Sequence, residues 1–220
     1  VLFRSLRGGG PWGSPPKVIE THAALVFLTG DRAFKMKKPV NLGYLDFSKP
    51  EQRQAILARE LELNQRTALR IYLRTLAVTR AADGFTLGGD GEAVEWLLEM
   101  KRFPDASLLS EVWSSGQLTG ETVERLARHA ARFHDGEPAV AGANWPAALA
   151  RVLSENAADL KSSGGLFDTD QLERSLAQRD ALHARLADVL ARQSRDIRHC
   201  HGDMHLGNVF LDEGERSEEH

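Results

Sequence analysis

The sequence predicts an α+β chain with a small β-rich N-terminal half and a larger helical C-terminal half. Two observations carry this. Residues 18–99 alternate short apolar runs with turn signals, broken by a single helical pattern, whereas the chain beyond Pro104 is dominated by long 3.6-residue periodicity. A strand-like stretch around a polar loop then follows at residues 196–211. With 220 residues, 42% hydrophobic and 27% charged, the composition is that of an ordinary globular protein able to bury a core.

Residues 6–16 are rich in Gly and Pro and read as a loop or linker. A glycine-rich phosphate loop is the alternative, although no strand precedes it in the chain and no Lys-Ser/Thr follows. The apolar run Ala24–Leu28, the turn Thr29-Gly30-Asp31 and the alternating run Arg32–Pro39 predict a β-hairpin. On its second strand Lys35 and Lys37 share a face, because strand side chains alternate. Ser48, Pro50 and Glu51 form a helix start with a capping box, and Ile56, Leu57, Leu61 and Leu63 supply the apolar face, with Glu60 in mid-helix. Strands are expected at Leu76–Thr79, before the turn Asp83-Gly84, and at Glu92–Glu99. Helices are expected after the cap Thr119, through Val123, Leu126, Ala127, Ala130 and Phe133, then over Pro146–Leu160 and Asp170–Arg192. Trp12, Trp96, Trp113 and Trp145 read as packing residues.

Charge and cysteine usage exclude several functions. The net charge of -3 shows no basic excess for nucleic acid, so a phosphate-bearing ligand would be held by a few placed groups. No apolar run approaches the ~20 residues that span a bilayer, and the N-terminus lacks a secretory pattern. The one cysteine, Cys200, makes no intrachain disulfide, fits a reducing cytoplasm, and is expected to be a buried, inert thiol. One codon choice for Arg216-Ser217-Glu218-Glu219-His220 is the reverse complement of one for Val1-Leu2-Phe3-Arg4-Ser5. Both ends are therefore expected to be library artefacts around an internal gene fragment.

The most informative stretch is His201-Gly202-Asp203-x-His205-x-x-Asn208, followed by apolar Val209-Phe210-Leu211, expected to be a supporting strand. Phosphoryl transfer needs a carboxylate to take the hydroxyl proton and oxygen ligands for Mg²⁺. Asp203 is placed to be the base, and Asn208, five residues on, can offer its side-chain carbonyl to the metal. A rival reading takes His199, His201, Asp203 and His205 as a metallohydrolase site for Zn²⁺ or Mn²⁺.

The run His201-Gly202-Asp203-x-His205-x-Gly207-Asn208 resembles the aminoglycoside-phosphotransferase family of kinase-like proteins. The segment Glu20-Thr21-His22 through Leu45-Asp46-Phe47-Ser48 is similar to uncharacterised bacterial phosphotransferase-like proteins, often fused to a C-terminal P-loop ATPase domain. The resemblance covers residues 17–213 and implies a two-lobed protein-kinase-like fold. It implies linker and artefact at 1–16, an N-lobe at 17–101, a helical C-lobe at 102–213, and artefact at 214–220.

The same resemblance assigns roles. The strand Ala33–Val40 would bear the ATP lysine, Lys35 or Lys37, paired with Glu60. Residues 97–101, including Glu99 and Met100, would be the hinge whose backbone meets adenine, and Thr21 and His22 would line the turn over the phosphates. Asp203 would be the base, His201 and His205 would shape the catalytic loop, His134 would be structural, and Asn208 would bind Mg²⁺. The implied reaction is transfer from ATP to a hydroxyl of a small molecule in a bacterial cytoplasm, without nucleic-acid or membrane partners. A fused ATPase domain would lie outside this chain. Family members carry a second metal-binding aspartate on the next strand. Asp212 comes too early to be it, so the expectation is a domain truncated at its C-terminus and inactive as it stands, or a nucleotide-binding pseudokinase module.

Overall fold

Short β-branched and apolar runs separated by glycine turns build an antiparallel sheet at the start of the chain. The structure, a computed structural model, describes residues 1–41, 46–193 and 197–212. Its described residues divide into two units, one of residues 1–111 together with Leu211 and Asp212, the other of residues 112–210. The expected boundary at Lys101 falls inside the first unit.

The first unit holds six strands: β1 Lys17–Glu20, β2 Ala24–Thr29, β3 Arg32–Lys37, β4 Tyr72–Ala81, β5 Gly84–Leu87 and β6 Ala93–Lys101. They form one sheet in the order β1-β2-β3-β6-β4-β5, antiparallel at every pairing. The predicted hairpin is β2 and β3, turning at Gly30, whose φ of 51° suits glycine. The expected strands at Leu76–Thr79 and Glu92–Glu99 are the inner parts of longer strands.

Two helical segments cover this sheet. Helix α1 (Leu2–Arg7) and a 3₁₀ turn at Gly10–Trp12 pack against β5. Leu6 is fully buried with Leu25, Phe27, Phe34, Met36, Val78 and Leu97, and Trp12 stacks on Phe27 and Phe34 at 5.1 and 5.6 Å between ring centroids. The expectation of a bare linker over 1–16 is thus corrected: the segment is apolar at Leu2, Phe3, Leu6 and Trp12, and these cap the sheet. Helix α2 (Pro50–Ala68) packs against β4 and β6.

The start of α2 lies one residue later than predicted. Lys49 is the N-cap, and its backbone N–H donates to Gln52 Oε1 at 3.0 Å, so Gln52 rather than Glu51 closes the box. Its buried residues are Leu57 and Arg53, whereas Leu63, expected in the apolar face, is 37% exposed. The Arg53 guanidinium contacts both Glu95 carboxylate oxygens, at 2.7 to 3.0 Å, and also donates to the carbonyls of Phe47 and Ser48. All three guanidinium nitrogens donate to a carboxylate or a carbonyl, which explains how an arginine is tolerated in the core.

Helix α3 is Leu109–Ser114, and in the second unit come α4 (Gly120–Gly136), α5 (Trp145–Ser162), α6 (Thr169–Arg185) and α7 (Ala187–Gln193). Thr119 caps α4 by accepting from the Thr122 N–H at 3.2 Å, as the sequence predicted. The single helix expected at 170–192 breaks at Leu186, between α6 and α7. Arg179 of α6 donates to the Leu153 carbonyl of α5 at 2.8 Å, and α7 packs on both α5 and α6. Of the four tryptophans, Trp113 is 62% exposed and does not pack as expected. Cys200 is exposed, not buried, because its neighbours form an open loop rather than the end of a strand. The terminal segment 214–220, Leu45, and Asp196 lie outside the described residues.

Candidate functional site

Strand alternation decides what the lysines meet. Phe34 and Met36 point into the apolar cluster, so Lys35 and Lys37 point to the other face, toward α2. There both reach Glu60. Lys35 Nζ lies 2.5 Å from Glu60 Oε1, and Lys37 Nζ lies 2.7 Å from Oε2. Burial raises the Glu60 pKa, but the two ammonium charges together outweigh it, so the carboxyl is held below its ordinary value. Tyr72 is pushed up to about 12, first by burial and then by the Glu60 charge. Lys37 also lies 5.5 Å from the ring centroid of Phe47. Tyr72 and Phe47 were not singled out from sequence. Glu60 had a signal in its spacing, since Arg53, Leu57 and Glu60 stand at i, i+4 and i+7 on one helix face.

The turn between β1 and β2 carries Thr21 and His22, both exposed. Thr21 closes it by exchanging hydrogen bonds with Ala24: its N–H donates to the Ala24 carbonyl at 2.9 Å, and its Oγ1 accepts from the Ala24 N–H at 3.0 Å. Lys38 braces the turn, donating to Glu20 Oε1 at 2.9 Å and to the Thr21 carbonyl at 3.0 Å. Hydrogen bonds from Lys38 and Arg7 hold the Glu20 carboxyl below its ordinary pKa.

Residues 97–101 do not present a free hinge. Leu98, Glu99 and Met100 have strand partners on both sides, from β3 and from β4. The N–H of Lys101 donates to the Ile71 carbonyl and that of Arg102 to the Asp31 carbonyl, each at 2.8 Å. Glu99 pairs with Phe34 in register and so faces away from Lys35, where its carboxylate binds Arg32 at 3.2 Å and Arg74 at 2.7 Å. Met100 pairs with Ala33, two residues from the Lys35–Leu98 pair, and lies on the lysine face.

The loop of residues 201–208 belongs to the second unit. Gly202 has φ of 77°, a left-handed conformation that a side chain would strain, although nothing lies within 4 Å of where its Cβ would stand. The requirement there is conformational rather than steric. The turn lets the Asp203 N–H donate to His201 Nδ1 at 3.3 Å. A 3₁₀ turn over Leu206–Asn208 brings Asn208 back, and its Nδ2 donates to Asp203 Oδ2 at 2.9 Å and to the Asp203 carbonyl at 3.0 Å. His205 Nδ1 accepts from the Gly207 N–H at 3.1 Å, so that nitrogen carries no proton. Its Nε2 faces Asp203 Oδ1 at 3.8 Å.

The strand expected at Val209–Leu211 is not formed there; Phe210 makes a single bridge, and the Leu211 N–H donates to the Ser107 carbonyl at 2.8 Å. His134 lies in the last turn of α4, and its carbonyl accepts from the Glu137 N–H at 3.3 Å. His199, His201, Asp203 and His205 do not converge on a common point, and no group of three or more His, Cys, Asp or Glu suited to a metal ion occurs among the described residues. No helix among them is long and apolar enough to cross a membrane.

Comparison with known proteins agrees with the loop. Three mycobacterial proteins, Mb2027c of Mycobacterium bovis and MT2060 and Rv2004c of Mycobacterium tuberculosis, all described as uncharacterized, are each 31% identical over 204 residues. The match covers 90% of this chain but 39% of each of theirs, so the chain spans well under half the length of these relatives. No solved structure matches. The profile of the phosphotransferase enzyme family matches residues 46–217, which include Glu60 and the whole catalytic loop. The chain therefore belongs to the phosphotransferase enzyme family, and its α+β fold is of the kinase-like kind.

Proposed function

We propose that this chain provides the nucleotide-holding and catalytic-loop parts of an ATP-dependent phosphotransferase that acts on a hydroxyl group of a small molecule in the cytoplasm. The observation that carries the reading is the closure of Asp203 and Asn208 on each other across the Asp-x-x-x-x-Asn spacing. Asn208 Nδ2 occupies Asp203 Oδ2, which leaves Oδ1 to accept the proton of the acceptor hydroxyl as its oxygen attacks the γ-phosphorus. His205 Nε2 faces that same oxygen at 3.8 Å.

The free oxygens fit the metal that the family uses. Asn208 Oδ1 is a hard oxygen donor of the type Mg²⁺ prefers, and phosphate and water would complete its octahedron. Bound with ATP, Mg²⁺ would supply charge neutralisation at the phosphates. Lys35 would contact phosphate, and Thr21 and His22 would stand at the turn over it. Met100 would offer an apolar contact to the base.

The test is γ-phosphoryl transfer from radiolabelled Mg²⁺-ATP to a panel of alcohols by the full-length protein and its Asp203→Asn variant. Transfer by the parent that is lost in the variant supports the reading. Nucleotide binding without turnover by the parent would make the protein a binding module, and unchanged turnover in the variant would remove Asp203 from the mechanism.

A further inference from the structure

One carboxylate here serves two lysines from one strand, and the two are not equivalent. The Lys37 side chain is 13% exposed against 28% for Lys35, so Lys37 is the more enclosed of the pair. Its ammonium has a second neighbour in the Phe47 ring. That ring is itself fixed: Phe47 is buried, its N–H donates to the Val40 carbonyl at 2.8 Å, and its carbonyl accepts from Arg53 at 2.7 Å. Arg53 in turn is locked on Glu95. Lys35 sits between Val26 of β2 and Leu98 of β6 in the middle of the sheet, and Glu60 is its one charged partner among the described residues.

We propose that Lys37 is a positioning residue that holds Glu60 in place, so that Lys35 can leave the carboxylate and contact phosphate. The proposal rests on the phosphotransferase reading of this site. The physical need is plain. Glu60 is 15% exposed, and a lone carboxylate there is costly to keep charged. With one lysine the site would have to choose between pairing Glu60 and binding phosphate. With two, Lys35 can turn away while Lys37 still neutralises Glu60. Tyr72, the other titratable group facing Glu60, stays neutral and cannot replace either lysine.

The experiment measures trace acylation of each lysine by mass spectrometry in the full-length protein, with and without Mg²⁺-ATP. Without nucleotide, Lys35 should react faster than Lys37. In Lys37→Met, the whole Glu60 charge falls on Lys35, so Lys35 should react at least about threefold more slowly than in the parent, and Lys37→Arg should restore its rate. With Mg²⁺-ATP, the parent should show protection at Lys35 and little change at Lys37. Lys35→Met should weaken Mg²⁺-ATP binding at least about tenfold, and Lys37→Met less, with recovery in Lys37→Arg.

An unchanged Lys35 rate in folded Lys37→Met overturns the proposal, and so does protection of Lys37 in place of Lys35. If the parent binds no Mg²⁺-nucleotide, the phosphotransferase reading fails, and the nucleotide-free rates alone decide whether Lys37 holds Glu60.

Discussion

Asn208 Nδ2 lies 2.9 Å from Asp203 Oδ2, so the residue that would offer an oxygen to a metal also fixes the residue that would take a proton. Asp203→Asn removes the carboxylate while preserving shape. Turnover by the full-length protein should fall by roughly 10²–10⁴ with the circular dichroism spectrum and Tm unchanged. A loss below about threefold would contradict the role of general base.

Asn208→Ala should act on both partners of that bond. It frees Asp203 Oδ2 and removes an amide oxygen, so the Mg²⁺ concentration for half-maximal rate should rise together with the fall in kcat. Excess Mg²⁺ should recover the rate in part. The same variant showing an unchanged Mg²⁺ dependence would place the metal elsewhere.

Glu60 gives a prediction in acid. Its folded pKa is lowered, so its pairing with the lysines contributes stability that is fully present above the unfolded value of 4.5 and is lost as pH falls through the folded value. Glu60→Gln should therefore lower the urea midpoint at pH 7, and the gap to the parent should close below pH 4.5. Tyr72 gives the complementary prediction in alkali. Its raised pKa means that it favours folding below pH 10 and ceases to as pH rises toward about 12. Absorbance at 295 nm should show one of the two tyrosines titrating near about 12, and Tyr72→Phe should abolish that step.

The buried pair of Arg53 and Glu95 predicts a strong asymmetry. Arg53→Met alone leaves Glu95 buried and unpaired and should cost about 3–5 kcal/mol in denaturant unfolding. Adding Glu95→Leu should recover most of that loss. An additive loss in the double variant would show that the pair matters through the Phe47 and Ser48 carbonyls instead.

The parts of this fold that were legible in the sequence are those with local causes. The hairpin at Gly30, the cap at Thr119 and the alternation that turns Lys35 and Lys37 to one side are each set within a few residues. Long-range pairing was not legible. Periodicity cannot show that Lys101 would find Ile71, so the hinge was placed inside a strand whose backbone is already claimed. Nor could it show that Arg53 of α2 would be drawn inward by a glutamate 42 positions later. The catalytic loop was readable because its bonds span two to five residues, and the relation of Asp203 to Asn208 is of that kind. Trp12 was read as a packing residue and packs on Phe27 and Phe34, but Leu6 was lost among glycines and prolines, whose turn signals masked a short apolar cap.

The Glu99 carboxylate has a mechanical consequence. It joins Arg32 on one neighbouring strand and Arg74 on the other, across the three central strands β3, β6 and β4. Sliding either neighbour along β6 would break an ion pair as well as the ladder, so the three strands resist shear as one plate. Lys35 is three residues from Arg32 on the strand so clamped. Its ammonium can therefore reach a ligand by rotation about the four torsions of its own side chain while the strand beneath it stays in place.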